Sequence, residues 1–185
     1  MKSVFALSLV LIMFSCDSTK STNDKKSSEA NSLNEKEEMS RNISSVTLES
    51  GCLPAGECAF EVIPNTKMDF KIDTAEMLYP EFVDDVQTNT IKFSYNEDTD
   101  KELMDGHYRE EIYFEVKNGT KEMDLQDMEL KDVNFLYGRF CYCKGSAGYF
   151  KVDKGNLTMK NGKLTIEFAN GQVPQKLGKI TASYK

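Results

Sequence analysis

The stretch Leu157-Thr-Met-Lys-Asn-Gly-Lys-Leu-Thr-Ile166 indicates the fold class, because its alternation around a two-residue turn predicts a β-hairpin. Its central Asn161-Gly162 suits a type I′ turn, in which both turn residues need positive φ. The two-residue turn fixes a register in which apolar residues face apolar residues, and a slip by one residue would spoil this match. The predicted pairs are Leu157 with Ile166, Thr158 with Thr165 and Met159 with Leu164.

A second Asn-Gly pair predicts a similar hairpin earlier in the chain. Asn118-Gly119 is flanked by two alternating segments, residues 111–117 and 120–125. A type I′ turn between them would place Phe114 opposite Met123 and make the two segments neighbours in one sheet.

The remaining pattern is also typical of strands. Short runs with period-two alternation recur, with turn residues every 8–12 positions, and this favours an all-β fold. We predict an antiparallel β-sandwich or β-barrel of about ten short strands. At most a short helix is expected near residues 74–86, because Pro80 interrupts the only helical pattern there. The apolar segment 133–143 is predicted to lie centrally in the sheet system, with both faces covered. Within it, Gly138 is expected to mark a bulge or a close approach of another backbone.

The first residues of the chain have the pattern of a secretory signal peptide. Lys2 supplies the positive charge, and Val4–Phe14 is an apolar run with Ser8 as its one polar residue. About 20 residues are needed to span a bilayer, so this run is too short for a transmembrane helix. Cys16 follows directly after the small residue Ser15.

A Cys in this position resembles the lipobox of bacterial lipoproteins of the Bacteroidota type, although Met13 and Phe14 replace the more usual Leu and small residue. The resemblance covers only the first 16 residues. It implies cleavage before Cys16, a diacylglycerol on its thiol and a fatty acid such as palmitate on the new amino terminus. The implied location is the cell envelope, on the outer membrane of a Gram-negative bacterium. The alternative is a secreted protein cut near Ser15.

Three regions follow from this pattern. Residues 1–15 are the predicted signal peptide, and residues 16–42 form a lipid-anchored flexible linker rich in Ser, Asn, Lys and Glu. A coil of this length would hold the following domain roughly 25–30 Å from its anchor. Residues 43–185 are predicted to form a single β domain.

Charge and composition restrict the partners. The formal net charge is -7, which argues against nucleic acid because phosphate binding needs clustered Lys and Arg. The chain has one His and no Trp, so a multi-His metal site is excluded. No cofactor and no metal are predicted. The expected partners are the membrane, through the lipid on Cys16, and a protein or glycan of the envelope.

Four cysteines remain if Cys16 carries lipid, and an even number in an exported chain implies disulfides. Cys141 and Cys143 are two residues apart on a predicted strand, so their Cβ atoms would lie roughly 6–7 Å apart. A disulfide needs about 3.8 Å. We therefore expect each of them to pair with Cys52 or Cys58. A four-thiolate zinc site is the alternative.

Three further groups of residues are candidate sites. Arg139 and Tyr137 share a strand face and form a weak candidate for binding an anionic group, although a structural Arg is the commoner situation. His107 is a candidate general base, but no motif places a nucleophile near it. Asp98, Asp100 and Glu102 resemble the start of a calcium loop but lack its later ligands.

The function predicted from sequence is that of a lipid-anchored envelope lipoprotein whose β domain is a non-enzymatic binding or structural module. One alternative is an inhibitor of a cationic hydrolase such as lysozyme. Another alternative is an envelope enzyme of unknown class.

Overall fold

The structure is a computed structural model that describes residues 42–99 and 106–185. The predicted signal peptide, Cys16 and most of the predicted linker lie outside the described residues. The strands are β1 Val46–Ser50, β2 Gly56–Ile63, β3 Thr66–Ile72, β4 Leu78–Asp84, β5 Thr88–Glu97, β6 Arg109–Lys117, β7 Met123–Gln126, β8 Leu136–Phe140, β9 Gly148–Lys151, β10 Gly155–Lys160, β11 Lys163–Phe168 and β12 Ile180–Tyr184.

Two five-stranded antiparallel sheets pack around one core, which confirms the all-β prediction. The first sheet has the order β1-β12-β11-β10-β7 and the second has the order β2-β5-β6-β8-β9. Phe93 and Phe114 of the second sheet share this core with Leu157 and Ile166 of the first. All four are at most 1% exposed, and burying each such side chain contributes about 1.5–3 kcal/mol.

The hairpin of β10 and β11 confirms the predicted register. Leu157 pairs with Ile166 and Met159 pairs with Leu164. Asn161 has φ 53° and Gly162 has φ 75°, as a type I′ turn requires.

The hairpin predicted around Asn118-Gly119 is wrong. β6 pairs with β5 and β8, whereas β7 pairs with β10 in the other sheet. Gly119 has φ 83°, but Asn118 does not have positive φ, so the turn is not type I′. The side chain of Asn118 instead donates to the carbonyl of Val86 at 2.8 Å, and its backbone N–H donates to the carbonyl of Gln87. These contacts hold the turn against the β4–β5 connection while the chain crosses between sheets.

The short helix allowed near residues 74–86 is replaced by a strand. β4 pairs with β3 along its whole length, with Pro80 opposite Phe70. Proline is tolerated there because β4 belongs to a two-stranded sheet and is an edge strand. The β3–β4 hairpin covers the outer face of the second sheet, where Met68 packs with Tyr113 and Leu136. The short helix of the described residues is a 3₁₀ helix, Asp127–Val133, which was not predicted.

β8 has both faces buried, as its sequence predicted, but it is not the central strand of its sheet. It lies between β6 and β9. Leu136 faces the hairpin layer and Tyr137 faces the main core, and both are 0% exposed. Gly138 marks a close approach of side chains instead of a bulge or a backbone: a Cβ there would lie 2.9 Å from the Phe140 ring and 3.0 Å from the Tyr149 ring.

The stability of the fold is expected to fall at alkaline pH because of buried tyrosines. Burial is the main cause that raises the pKa of five tyrosines, Tyr95, Tyr108, Tyr113, Tyr137 and Tyr149. Above about pH 10 the unfolded chain loses these protons while the folded chain keeps them, so stability is complete below that pH and falls as the pH rises. For each tyrosine that is protonated in the folded chain but ionised in the unfolded chain, the free energy of unfolding falls by up to about 1.4 kcal/mol per pH unit.

Urea unfolding at pH 8, 10, 11 and 11.5 measures this loss. Tyr113→Phe is the matched control, because it removes one titrating group and should make the slope of stability against pH shallower. Equal stability at pH 8 and pH 11 would contradict the prediction.

Candidate binding cleft

A concave pocket with a volume of about 440 Å³ lies at one end of the second sheet, where β5 ends, β6 begins and β8 ends. These three strands are neighbours, so their ends bring residues that are distant in sequence to one place. We call this surface the cleft. Its lining residues are Asn96, Glu97, His107, Tyr108, Arg109, Phe140, Cys141 and Tyr142.

One wall of the cleft combines a cation with an aromatic ring. Arg109 pairs with Phe140 across β6 and β8, and its guanidinium lies 4.5 Å from the centre of the Phe140 ring. Arg109 Nε also lies 3.3 Å from Oε1 of Glu111. The Arg109 side chain is still 45% exposed, so its charge is held in position and remains accessible to a ligand.

Tyr108 forms a second wall, and contacts with three charged side chains hold it in place. Lys176 Nζ lies 4.2 Å from the centre of its ring, and the Arg139 guanidinium lies 5.4 Å from it. The Tyr108 hydroxyl donates to the carboxylate of Glu110 and accepts a hydrogen bond from Arg139 Nε at 3.3 Å. Burial, followed by the hydrogen bond to Glu110, raises the pKa of Tyr108 to about 12. Tyr108 is therefore a neutral hydrogen-bonding group at physiological pH.

Glu110 lies beneath the cleft and is 0% exposed. Besides the Tyr108 hydroxyl, it accepts the backbone N–H of Lys176 at 2.7 Å and the backbone N–H of Leu177 at 2.9 Å. A buried carboxylate is tolerated only when it is well supplied with donors. The charge thus fastens the segment before β12 to the second sheet, and Lys176 in turn reaches Glu97 at 2.7 Å.

The disulfide pairing predicted from sequence is wrong, although all four cysteines are bridged. The structure joins Cys52 to Cys58 and Cys141 to Cys143. The sequence argument assumed an extended strand through residue 143, but β8 ends at Phe140. Cys143 N–H donates to the carbonyl of Cys141 at 2.8 Å, and this tight turn brings their Cα atoms to 5.2 Å. The bridges also exclude the four-thiolate zinc alternative.

Both disulfides lie at the same end of the second sheet as the cleft. Cys58 pairs with Tyr95 near the end of β5, and Gly56 pairs with Glu97. Asp98 N–H donates to the carbonyl of Ala55 within the loop that the first bridge closes. The second bridge flanks Tyr142, which is 84% exposed and lies on the cleft.

Tyr137 and Arg139, the weak candidates for ligand binding, have different locations in the structure. Tyr137 is 0% exposed in the core, so its prediction as a ligand-binding residue is corrected. Its hydroxyl has no hydrogen-bond partner among the described residues, and burial together with the charge of Glu110 raises its pKa. Arg139 lies behind Tyr108 and donates from Nη1 to the carbonyl and hydroxyl of Ser146 at 3.0 and 2.8 Å. Its contacts position the cleft wall and the loop after Cys143.

His107 and the acidic residues of the predicted calcium-like loop are the remaining candidates from the sequence. His107 is exposed and lines the cleft. Asp98 is exposed and does not line the cleft, whereas Asp100 and Glu102 lie outside the described residues. Across residues 42–99 and 106–185, no group of three or more His, Cys, Asp or Glu side chains is arranged to hold a metal ion.

Sequence reasoning missed Tyr108, Arg109, Phe140 and Tyr142 as a group. The sequence contains only part of the pattern that would identify them. Tyr108 and Arg109 follow an acidic loop, and Tyr142 stands between two cysteines. Arg109 pairs with Phe140 because β6 and β8 are neighbours in the sheet. The hairpin wrongly predicted at Asn118 gave β6 a different neighbour, so this pairing did not follow from the sequence.

The described chain begins at the opposite end of the molecule. Asn42 and Ile43 line a second depression together with Thr120 and Gly162. Thr120 follows the far end of β6, whose nine residues span about 30 Å from Arg109. The cleft therefore faces away from the point where the predicted linker joins the domain.

No protein-family model, curated protein or solved structure matches this chain. None of the helices within the described parts of the chain is both long and apolar enough to cross a membrane.

Proposed function

We propose that this chain is a bacterial envelope lipoprotein, anchored by lipid on Cys16, whose β domain is a non-enzymatic binding module. The cleft is its binding surface. The observation that carries this proposal is the exposed Tyr142, which stands beside Arg109 and Phe140 at the end of the domain that faces away from residue 42.

The residues of the cleft suit recognition of another macromolecule. Tyr and Arg dominate the energetics of protein interfaces because they combine large apolar area with directed hydrogen bonds. Tyr142 offers an exposed ring, and Arg109 offers a charge held in place by Phe140 and Glu111. The expected partner is a protein or glycan of the envelope that presents an anionic or hydroxyl-rich group to Arg109.

The acidic groups near the cleft support binding over catalysis. Glu97 is paired with Lys176, and Glu110 is buried under three donors that belong to the fold. General acid or base catalysis needs a group within reach of the substrate proton, and these two carboxylates are committed to structural contacts.

A binding experiment tests the cleft directly. Full-length protein and the Tyr142→Ala variant would be compared in capture from envelope extracts, with affinity for any captured partner then measured on purified material. Removal of an exposed interface aromatic should weaken binding about tenfold, since 1.4 kcal/mol corresponds to tenfold in affinity. The matched control is Lys121→Ala, which alters an exposed residue of the depression at the opposite end.

Two outcomes would redirect the proposal. Equal capture by wild type and Tyr142→Ala would remove the cleft as the binding surface. Stoichiometric inhibition of lysozyme that Tyr142→Ala weakens would identify the partner as a cationic hydrolase, the alternative raised by the acidic composition.

A further inference from the structure

The Cys141–Cys143 bridge differs from the Cys52–Cys58 bridge in what it does for the fold. Cys141 and Cys143 are two residues apart, and Cys52 and Cys58 are six apart. In the chain-entropy model the stabilisation by a disulfide grows with the length of the loop that it closes. The Cys52–Cys58 bridge also ties a preceding segment to β2. The Cys141–Cys143 bridge joins no two elements of the sheet, so the fold has little need of it.

Its position makes the Cys141–Cys143 bridge accessible to another molecule. Both cysteines are half-buried, and Cys141 lines the cleft directly. Tyr142, between them, is the most exposed of the large apolar residues among those described. A thiol carried by a partner in the cleft would therefore meet this disulfide, whereas neither Cys52 nor Cys58 lines the cleft.

Two cationic residues are near the bridge in the cleft or in the chain. Arg109, which is paired with Glu111, lines the cleft with Cys141, and Lys144 follows Cys143 in the chain. The acidic group in the cleft lining, Glu97, is paired with Lys176. Positive charge stabilises a thiolate, and a sulfur that leaves as a stabilised thiolate is displaced faster.

Strand pairing offers the reduced form an alternative conformation. The register of β6 with β8 ends at Arg109 with Phe140, and one further step would place Cys141 opposite Tyr108. An extended continuation of β8 would hold the two Cβ atoms about 6–7 Å apart, too far for a disulfide. The bridge therefore prevents an extension of β8 that the dithiol permits. Any stabilisation of the dithiol by this extension would make the disulfide more oxidising.

We propose that Cys141–Cys143 is a thiol–disulfide exchange site that accepts electrons from a dithiol of another protein. A partner thiolate attacks one sulfur of the bridge, the Cys141–Cys143 bond breaks, and the displaced sulfur leaves as a thiolate that takes a proton from water. The partner's second thiol, after losing its proton, attacks the mixed disulfide. The partner is then oxidised to a disulfide and both cysteines are reduced, with two electrons transferred. The reverse exchange with a more oxidising protein disulfide restores the bridge.

A redox titration of the oxidised full-length protein tests the proposal. The protein would be equilibrated in glutathione buffers of graded ratio, quenched with acid, alkylated and mapped by peptide mass spectrometry. We expect Cys141–Cys143 to be half-reduced in a buffer whose reducing ratio is at least about tenfold lower than the ratio needed for Cys52–Cys58. Reduction of both bridges at one ratio, or of Cys52–Cys58 first, would overturn it.

An exchange assay with a synthetic peptide dithiol provides the second measurement. One equivalent of oxidised protein should oxidise about one equivalent of peptide, and a mixed disulfide with Cys141 or Cys143 should be trapped at short times. The double variant Cys141→Ser/Cys143→Ser should lose this activity. Undiminished peptide oxidation by the double variant would refute the site. Capture through Tyr142 is measured separately, so failure of exchange and failure of binding are distinguishable.

Discussion

Glu110→Gln is expected to lower the free energy of unfolding by about 3–4 kcal/mol. The carboxylate accepts hydrogen bonds from the Tyr108 hydroxyl and from two backbone N–H groups, those of Lys176 and Leu177. A glutamine amide keeps one acceptor but turns an NH₂ group toward donors that are already present. At least one buried N–H then loses its partner, which costs about 1–3 kcal/mol, and the charge-assisted character of the remaining bonds is also lost.

The effect should extend beyond β6. Leu177 is 2% exposed and belongs to the main core, and it is held there by a hydrogen bond to a residue 67 positions earlier. Release of this segment would also free Lys176, which covers the Tyr108 ring and pairs with Glu97. We therefore expect a single change under the cleft to loosen the cleft wall as well as the fold.

Urea unfolding followed by circular dichroism measures the loss. Glu61→Gln is the matched control, because Glu61 is exposed on β2 and such surface changes usually stay within about 0.5 kcal/mol. A destabilisation of Glu110→Gln below about 1 kcal/mol would show that the buried carboxylate does not hold the two segments together.

The role of Glu110 could not be read from local sequence. In Arg109-Glu110-Glu111 all three residues are charged, a pattern that is typical of a solvated strand end. The two carboxylates instead point to opposite faces of a sheet that is covered on both sides. Glu111 meets Lys92 and Arg109 under the hairpin layer, and Glu110 meets partners that follow by about 66 residues. Only the tertiary structure supplies those partners.

The turn residues were sufficient to predict a hairpin where the two flanking strands are neighbours in one sheet. Asn161-Gly162 joins two strands of one sheet, so the hairpin register followed from the sequence. Asn118-Gly119 has the same two residues, but contacts from Asn118 to the β4–β5 connection select another backbone conformation there. The same limitation affected the cysteines: their i, i+2 spacing predicted separation on a strand, and the end of β8 at Phe140 removed that premise.

The hairpin layer was missed for a related reason. Residues 78–84 carry Pro80 and a spacing that matches a helix face, and this local pattern obscures the alternation along β4. Its pairing with β3 and its packing over Tyr113 decide the conformation, and these are long-range contacts. Tertiary packing commonly overrides intrinsic preference in this way.

Cys16→Ser is expected to release the protein from membranes almost completely. In the proposed lipoprotein the acyl chains on Cys16 provide the attachment, and each buried methylene contributes about 0.8 kcal/mol. Serine offers no thiol for the diacylglycerol, so this contribution is lost in full while residues 43–185 keep their sequence. Fractionation of cells and uptake of labelled palmitate would measure the change, with Ser18→Ala as a control that leaves Cys16 in place. Membrane partitioning of Cys16→Ser equal to wild type, together with no label in the wild type, would refute the lipid anchor.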